Sequence, residues 1–469
     1  MHDSTTLRTS QRKPLALALL ALVAAAPLPA LATLVTSCED DGGFDTLRHA
    51  ITVANSGDTI DLTQLQCSKI TLTGELDVTI DDLTINGPGR DRLTIDAAGN
   101  DRAIMHYGVG NLTLNDLTIA NGKLVGATAY GGCIYSHGSV YLSGASVTNC
   151  QALGDTKAAG GGIVAVNAVS LLYSSVTNNT VRASSTSDPQ ALAVGGGMFG
   201  AKSVSLISSV VSGNSASADG SGKAVGGGLT TYNLGAKYTT VSGNSALGTP
   251  NTQSVGGGAG MAVTASAFVV DTTIDHNTAD VGGGMYIGSI GNSSSVIVQT
   301  TISSNTANRY SGGLITQGTT TIANSTIAFN TGGLNGQGGG FTAVDSSKKI
   351  TLQASIVADN VPLDVYANQT IDGSNNIVKT KSANAVLPAD TIKSDPLLGP
   401  LAYNGGITRT HAPDAASPAI DKGILPYNFG TDQRGPTYLR PVGPADIGAI
   451  EYDADHIFGD AFGAATLGP

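Results

Sequence analysis

Apolar and polar positions alternate through the middle of the chain, and glycine runs and single asparagines interrupt the alternation at regular intervals. From Gly131 to Asn360 each unit begins with glycines, continues through alternating β-branched and hydroxyl-bearing residues, and ends at an asparagine. The asparagines recur about every 30 residues. They are Asn179, Asn214, Asn244, Asn277, Asn305, Asn330 and Asn360. The pattern predicts a β-solenoid in which each unit forms one coil.

The residue three places before each asparagine is always β-branched. These residues are Val176, Val211, Val241, Ile274, Ile302, Ile327 and Val357. Such a column suits strands whose inward side chains stack between coils at a spacing of about 4.8 Å, while the flanking Ser and Thr point outward. We expect the asparagines to adopt the left-handed conformation at a corner and to hydrogen-bond one another between coils. The glycines would supply positive φ at another corner.

Segments on both sides of the glycine-marked coils extend the prediction. Short strands followed by turns also occur in ELDVTIDDLTINGPG, DRLTIDAAG and NLTLNDLTIANG, so we place the β-helix at residues 70–365. Residues 33–69 form a predicted N-terminal cap with one amphipathic helix. Its apolar stripe is Leu47, Ala50, Ile51 and Ala54, with Asp45 or Thr46 as N-cap and Gly57 as the stop. After Asn360 the repeat decays, which predicts an irregular C-terminal cap at residues 366–453 and a tail at 454–469.

The predicted fold is therefore an all-β, right-handed parallel β-helix of about ten or more coils with both ends capped. Composition agrees, because glycine supplies 62 of the 469 residues while charged residues make up only 13%. Disordered chains are poor in apolar residues, whereas this chain is 41% hydrophobic.

Residues 1–32 have the pattern of a signal peptide. Three basic residues, Arg8, Arg12 and Lys13, precede an apolar run and the small-residue site Ala30-Leu31-Ala32. The apolar run is too short to span a bilayer, so we expect a mature chain without a transmembrane segment that begins near Thr33. Loss of three positive charges and one negative charge changes the formal charge from −11 to −13. This acidity argues against nucleic-acid partners, and export predicts an extracellular or outer-surface location, with the periplasm as an alternative.

The four cysteines fall into two pairs that are close in sequence. Four cysteines allow three connectivities, and we favour Cys38 with Cys67 and Cys133 with Cys150 because each pair closes a short loop. A zinc site is the alternative, but no CxxC or CxxH spacing supports it.

Motifs at both ends resemble a known family. DDGGFDTLRHAITVANSGDTIDL is similar to the start of bacterial exported β-helix proteins, and the far end resembles the terminal segment of the choice-of-anchor Q family. The motifs there are Asp395-Pro396-Leu397, Asn404-Gly405-Gly406, Ser417-Pro418-Ala419-Ile420-Asp421, Asp432-Gln433-Arg434-Gly435 and Asp446-Ile447-Gly448-Ala449. The resemblance implies export, bacterial surfaces and a right-handed β-helix, and it implies no chemistry. The glycine-rich coils are also loosely similar to polymorphic outer membrane protein repeats.

Candidate catalytic residues are few. Pectin-degrading enzymes share this fold, and a glycosidase needs two carboxylates beside the scissile bond. All three glutamates, Glu39, Glu75 and Glu451, lie outside the glycine-marked coils, so a pair there would be aspartates. The candidates are Asp271 and Asp275, four apart on one strand face, with His276 beside them.

The aligned coils argue against catalysis by this pair. Asp271 lies between Tyr238 and Gln299, and Asp275 lies between Ser242 and Ser303, so no second acid stacks beside either carboxylate. The nearest basic residues, Lys237 and Arg309, belong to other coils at unrelated columns. The sequence therefore predicts no catalytic set, no cofactor and no metal, with calcium implied only for a lyase. Arg434 and Asp432 are interpreted as a salt bridge.

Two functional hypotheses remain, and a self-assembling surface layer is a variant of the first. The preferred one is a non-catalytic secreted or cell-surface protein that binds a polysaccharide or a host surface, with tyrosines such as Tyr173, Tyr238 and Tyr286 for stacking. The alternative is a polysaccharide lyase or glycoside hydrolase that acts on acidic polysaccharide.

Overall fold

A computed structural model describes residues 32–185, 188, 190–248, 257–333 and 337–452. The predicted tail, and all but the last residue of the predicted signal peptide, lie outside these residues. The described chain is a parallel β-solenoid of about 11 turns. Within it, no helix is long and apolar enough to cross a membrane.

Three parallel sheets, which we name A, B and C, form the walls of the solenoid among the described residues. The strands of sheet A are Ala32–Leu34, Asp58–Asp61, Leu76–Val78, Leu83–Asn86, Ile104–His106, Asn111–Asn115, Ile134–Ser136, Ser139–Ser143, Ile163–Ala165, Ala168–Leu172, Met198–Ile207, Leu229–Lys237, Met261–Val270, Met285–Ile287, Ser294–Val298, Leu314–Thr316, Thr319–Ala323, Phe341–Ala343, Ile350–Gln353, Val365–Tyr366 and Asp372–Ser374. The strands of sheet B are Lys69–Thr71, Thr94–Asp96, Thr118–Ala120, Ser146–Thr148, Ser175–Thr177, Val210–Ser212, Thr240–Ser242, Thr273–Asp275, Thr301–Ser303, Thr326–Ala328, Ile356–Ala358 and Ile377–Val378. The strands of sheet C are Lys123–Tyr130, Gln151–Ala159, Thr180–Ala183, Leu192–Val194, Ser215–Ala218, Lys223–Val225, Ser245–Gly248, Thr278–Ala279 and Thr306–Ala307.

The β-branched column occupies the middle of the short strands of sheet B. Val176 pairs in register with Val211, and the column continues without a register shift through Ile302 to Val357. Each of its seven members is fully buried. Stacking of branched side chains between coils therefore forms one wall of the continuous apolar core.

The closing asparagines form a hydrogen-bonded ladder between coils. The Nδ2 of Asn179 donates to the Oδ1 of Asn214 at 2.9 Å, and the same bond repeats from coil to coil until Asn360. There the Nδ2 of Asn360 donates to the Oδ1 of Asp364 at 3.0 Å. Each Oδ1 also accepts the backbone N–H of the preceding ladder residue, as in the 3.0 Å bond from Asn179. The amides are thus satisfied inside the core.

The left-handed conformation falls on the residue before each ladder asparagine, so the expectation that the asparagine itself adopts it was wrong. Asn178, Gly213, His276 and Phe329 have φ values of 56°, 65°, 54° and 57°. The reason is directional: the turn at the preceding residue points the asparagine inward, where its amide reaches the next coil.

The third glycine of each triplet lies against the ladder. A Cβ on Gly162 would lie 3.1 Å from the Cγ of Asn179, which is tighter than ordinary packing. In the preceding coil Cys133 stands at this glycine position and Cys150 stands at the ladder position, and the two form a disulfide. The second disulfide joins Cys38 to Cys67. The favoured connectivity is confirmed.

One helix, Leu47–Val53, lies near the N-terminal end of the described chain. The hydroxyl of its N-cap residue, Thr46, accepts the N–H of His49 at 3.3 Å. Its buried residues are Leu47, Ala50 and Ile51, three of the four predicted positions. The helix ends with Ala54 as C-cap, three residues before the predicted stop.

The run of paired strands is longer than the predicted 70–365. Ala32–Leu34 already pairs in parallel with Asp58–Asp61, and Ile377–Val378 still pairs with Ile356–Ala358. These outer coils lack the glycine triplets, so periodicity in the sequence did not reveal them.

The segment from Leu398 to Tyr452, which the sequence predicts as part of an end cap, lies along the outer face of sheet B. It contains a small antiparallel pair, Leu398–Ala402 with Thr410–Pro413. Its hydrogen bonds to the solenoid involve Thr273 with Arg409, Thr301 with Gln433, Ser303 with His411, Asn324 with Ile424 and Thr326 with Ala449. Outward hydroxyls that the sequence assigned to solvent are therefore buried in these coils, because the segment supplies their partners. We call this region the docked flank.

Candidate functional site

The predicted candidates Asp271 and Asp275 lie beneath the docked flank. Asp275 ends a strand of sheet B, between Ser242 and Ser303 as the sequence alignment predicts. Asp271 lies at the corner between sheets A and B, with φ of 49°. Their exposed fractions are 3% for Asp271 and 0% for Asp275. Neither carboxylate is accessible to a polymer.

Asp275 interacts with two partners, the guanidinium of Arg409 and the imidazole of His276. Its Oδ2 accepts from the Nδ1 of His276 at 2.6 Å and from the guanidinium of Arg409. Arg409 belongs to the docked flank, more than a hundred residues away in sequence, so alignment of coils could not have revealed it. The trio holds the flank against sheet B.

Asp271 is a buried acid with one distant cationic partner. Burial raises its pKa to about 7, although the ammonium of Lys237 lies 3.9 Å from its Oδ2 and opposes the shift. Lys237, which the sequence analysis assigned to an unrelated column, pairs in register with Val270, next to Asp271. Tyr238 also hydrogen-bonds this carboxyl. The sequence alignment does not reveal Lys237 as a neighbour of Asp271. The two are close because the strands of sheet A are long and continue up to the corner at Asp271.

Several charged residues of the C-terminal segment are buried within the flank itself, among them Asp432, Arg440 and Glu451. Arg434 pairs with Asp432 at 2.6 Å and stacks over the ring of Tyr438, 4.0 Å from its centroid. The Nε of Arg440 lies 2.7 Å from Glu451, and its NH2 donates to the carbonyl of Asp446 at 2.7 Å. These residues serve the internal structure of the flank.

An exposed cluster of acids and aromatic rings lies on sheet A, far from the predicted candidates in sequence. We call it the acid–aromatic shelf and define it as Glu75, Asp77, Arg102, Tyr107, Tyr135 and His137. It is built on three neighbouring strands, Leu76–Val78, Ile104–His106 and Ile134–Ser136, whose register aligns Asp77 with Met105 and Tyr135. Alternation along each strand turns these side chains outward.

Arg102 is the fixed centre of the shelf. Its NH1 lies 2.8 Å from the Oε2 of Glu75, and its Nε donates to the carbonyl of Gly131 at 3.0 Å. The guanidinium carbon lies 5.5 Å from the centroid of the Tyr135 ring. Only 12% of the Arg102 side chain is exposed, so the arginine supports the shelf from beneath.

Three rings cover the outer side of the shelf. His137 lies edge-on to Tyr135 at 5.3 Å and to Tyr107 at 6.2 Å between centroids. The Nδ1 of His137 also lies 3.3 Å from the carbonyl of Tyr107. Tyr107 is 47% exposed. Such ring pairs limit rotation, so the rings form a preorganised apolar surface.

The shelf is electrostatically negative. Burial raises the pKa of Glu75, Arg102 lowers it, and the nearby charges of Asp101 and Asp77 raise it further. The charge of Asp77 is the main cause of a raised pKa at the Tyr107 hydroxyl. The Tyr107 shift indicates that negative charge acts on the outer side of this surface.

The sequence contained a partial signal for the shelf. Glu75 is one of the three glutamates, but it lies outside the glycine-marked coils in which the repeat aligns neighbouring residues. Residues from Glu75 to His137 come together only through the register of sheet A, where three successive coils place them side by side. Of the tyrosines proposed for stacking, Tyr173 is exposed at a corner while Tyr238 and Tyr286 are half-buried.

No group of three or more metal-ligating side chains occurs among the described residues. His106, directly behind the shelf, is buried and engaged: its Nδ1 lies 2.7 Å from the hydroxyl of Ser136, and its Nε2 lies 3.0 Å from the carbonyl of Asp81. Burial lowers the pKa of His106, so a neutral ring fills the core here.

Neither a family model nor a curated protein sequence matches this chain. Among solved structures, the crystal structure of pectate lyase Pel9A is similar, with 14% sequence identity and a TM-score of 0.40. The alignment covers 91% of this chain and 98% of that one. The resemblance to the choice-of-anchor Q family stays a prediction.

Proposed function

We propose that the mature chain is an exported surface protein that binds glycan on sheet A without cleaving it. The observation that carries the proposal is the acid–aromatic shelf, where exposed rings lie beside fixed hydrogen-bonding groups on rigid strands. Sugar rings present apolar C–H faces and polar edges, and this pairing of aromatic faces with polar groups suits both.

Burial of the other acids supports the non-catalytic part of the proposal. A glycosidase needs two accessible carboxylates on either side of the scissile bond, but Asp271 and Asp275 are covered by the docked flank. The lyase or hydrolase alternative rests on Glu75 and Asp77, which both face outward beside one strand. Glu75 is engaged by Arg102 at 2.8 Å, which leaves Asp77 as the exposed acid of the pair.

The rest of the proposal concerns context. Two disulfides favour an oxidising compartment, and the basic and apolar start of the chain favours export. A right-handed path is proposed because parallel strands joined within one sheet follow that hand in about 98% of cases. The helix Leu47–Val53 is proposed to cap the first coil, since its buried face packs near Leu76–Val78.

A glycan array combined with an assay for new reducing ends tests the proposal. The chain beginning near Thr33 should bind at least one glycan and release no reducing ends, with or without added calcium. Tyr107→Ala should weaken binding about tenfold, which corresponds to about 1.4 kcal/mol. Tyr173→Ala is the matched control, because Tyr173 is 63% exposed but lies at a corner outside the shelf.

Two results would contradict the proposal. Absence of binding by the folded protein would exclude glycan recognition. Release of reducing ends from an acidic polysaccharide, abolished by Glu75→Gln, would replace the binding protein with the enzyme alternative.

A further inference from the structure

We infer that the acid–aromatic shelf selects polysaccharides of amino sugars that carry free, protonated amines. The inference rests on the proposed glycan binding and adds the chemical class of the ligand. It differs from the acidic polysaccharide that the lyase alternative requires.

The first step is the charge balance of the surface. Asp77 and Asp101 both act on the carboxyl of Glu75, and the guanidinium of Arg102 opposes them. Because Arg102 is paired with Glu75 at 2.8 Å, the carboxylates of Asp77 and Asp101 are left in excess. A cation on an incoming sugar would be attracted here, whereas a uronate would be repelled. The acidic chain as a whole strengthens this preference at low ionic strength.

The second step is the position of the cations. Arg48 lies beside the shelf, where its NH1 donates to the carbonyl of Glu75 at 2.7 Å, but its charge is paired with Asp40 at 2.7 Å. Arg102 forms a salt bridge with Glu75 and donates a hydrogen bond to the carbonyl of Gly131, and its NH1 also lies 3.0 Å from the sulfur of Met105. It lies beneath the rings and is mostly buried. Asp77, by contrast, is exposed. A ligand that approaches from solvent meets the carboxylate first.

The third step joins the acid to the ring. Asp77 is in register with Met105, two residues before Tyr107, so its carboxylate and the Tyr107 ring are neighbours on one face of sheet A. The charge of Asp77 accordingly raises the pKa of the Tyr107 hydroxyl. A sugar stacked on Tyr107 would therefore hold its ring substituents close to the Asp77 carboxylate. An ammonium substituent would form a charge-assisted hydrogen bond there, which is stronger than a bond from a hydroxyl or an acetamide.

A basic peptide is the other cationic polymer to consider, and the backbone geometry disfavours it. The central strand of the shelf, Ile104–His106, is paired on both sides, so its backbone N–H and C=O groups are used within sheet A. An extended peptide cannot add to this face as a strand. A flat sugar chain needs no such edge.

Calorimetric titration with defined oligosaccharides tests the inference. The probes are a hexamer of β-1,4-linked glucosamine, its fully N-acetylated form, a galacturonate hexamer and a hexalysine peptide. At low salt the glucosamine hexamer should bind about tenfold more tightly than its acetylated form, and 1 M salt should remove most of the difference, because the Debye length falls to about 3 Å.

Two variants separate charge from stacking. Asp77→Asn should reduce the preference for the free amine at least fivefold while leaving affinity for the acetylated hexamer nearly unchanged. Tyr107→Ala should weaken both hexamers to a similar extent. Asp155→Asn is the matched control, since Asp155 is an exposed acid on sheet C, and it should change neither affinity.

The outcomes distinguish the inference from the proposed function. Equal affinity for both glucosamine forms, or tighter binding of the galacturonate hexamer, would overturn the inference and leave glycan binding intact. Hexalysine binding that depends on Asp77 in the absence of sugar binding would also overturn it. Failure of the folded protein to bind any oligosaccharide, here and on the array, would remove both.

Discussion

Polar side chains are buried in two regions of this molecule, the asparagine ladder inside the solenoid and the docked flank outside it. In the ladder every coil repeats one solution: an amide donates to the next amide and accepts from the backbone of the previous coil. In the flank each contact occurs once, as in the pairing of Asp275 with Arg409 or of Arg440 with Glu451.

The two solutions differ in how completely they satisfy the buried groups. The ladder leaves no side-chain oxygen or nitrogen of its seven members without a partner among the described residues. In the flank and at the surface it covers, the Oδ1 atoms of Asp271 and Asp275 and the Nε atoms of Arg409 and Arg440 have no hydrogen bond, although the Nε of Arg440 lies 2.7 Å from Glu451. Because unsatisfied and charged groups are costly to bury, the flank should be the less stable region. It should detach before the solenoid unfolds.

Removal of a buried charge should have the largest effect. Arg440→Met leaves Glu451 buried without its partner, so we expect the flank to lose about 3–5 kcal/mol of stability. Hydrogen exchange would show faster exchange for residues 398–452 and unchanged protection of the ladder amides. Arg182→Met is the control, because its ion pair with Asp219 is solvent-exposed. Equal loss of protection in both regions would mean that flank and solenoid unfold as one unit.

The ladder should respond next most strongly. Asn277→Ala removes the acceptor for Asn244 and the donor to Asn305 and to the carbonyl of Val241. The buried groups left behind should cost about 3 kcal/mol, measured as a lower free energy of unfolding in urea. Asn233→Ala, on an exposed position of sheet A, should change stability by less than about 0.5 kcal/mol.

The free energy of unfolding, measured as a function of pH, should show the destabilisation caused by the buried carboxyl of Asp271. A carboxyl whose pKa is higher in the folded state stabilises that state only while protonated. Its contribution is therefore complete below about pH 4 and lost as the pH rises to about 7. We expect stability to fall steadily across that range because of this carboxyl. Asp271→Asn should flatten that part of the profile, and an identical profile for both proteins would contradict the assigned burial.

The smallest effect on stability should come from extending the asparagine ladder into the coil that carries the Cys133–Cys150 disulfide. Replacement of the disulfide by Cys133→Gly with Cys150→Asn restores the glycine and asparagine that later coils carry at these positions. We expect this protein to be about 1.5 kcal/mol more stable than Cys133→Ser with Cys150→Ser, because a new amide can donate to Asn179. Urea unfolding of the two double variants measures this difference in the free energy of unfolding. Equal stabilities would mean that the ladder does not extend into this coil.

Much of the solenoid was predictable because its contacts are local in the repeat. The β-branched column and the asparagine column depend on neighbours one coil apart, and a repeating sequence displays such neighbours directly. Both cysteine pairs are also close in sequence, with separations of 29 and 17 residues. The conformation of the corner was not predictable in the same way. Placing positive φ at Asn178 or His276 instead of the ladder asparagine requires knowledge of where the amide points.

The candidate sites were the least predictable part. The sequence predicts Asp271 and Asp275 on one strand face with His276 beside them, but Asp271 lies at the corner before the strand. The sequence also contains no sign that Arg409 covers Asp275. It set Glu75 aside because the early coils lack glycine marks, and so missed the acid–aromatic shelf.

The sequence by itself determined the solenoid, since a period near 30 residues and strict alternation permit few other ways to bury the apolar column. Tertiary structure alone decided which polar faces stay open. Whether an outward Thr or Asp is solvated depends on a segment that returns from more than a hundred residues away, and no local pattern encodes that return. The same holds for the shelf, where the register of three coils, not their individual sequences, brings the acids to the rings.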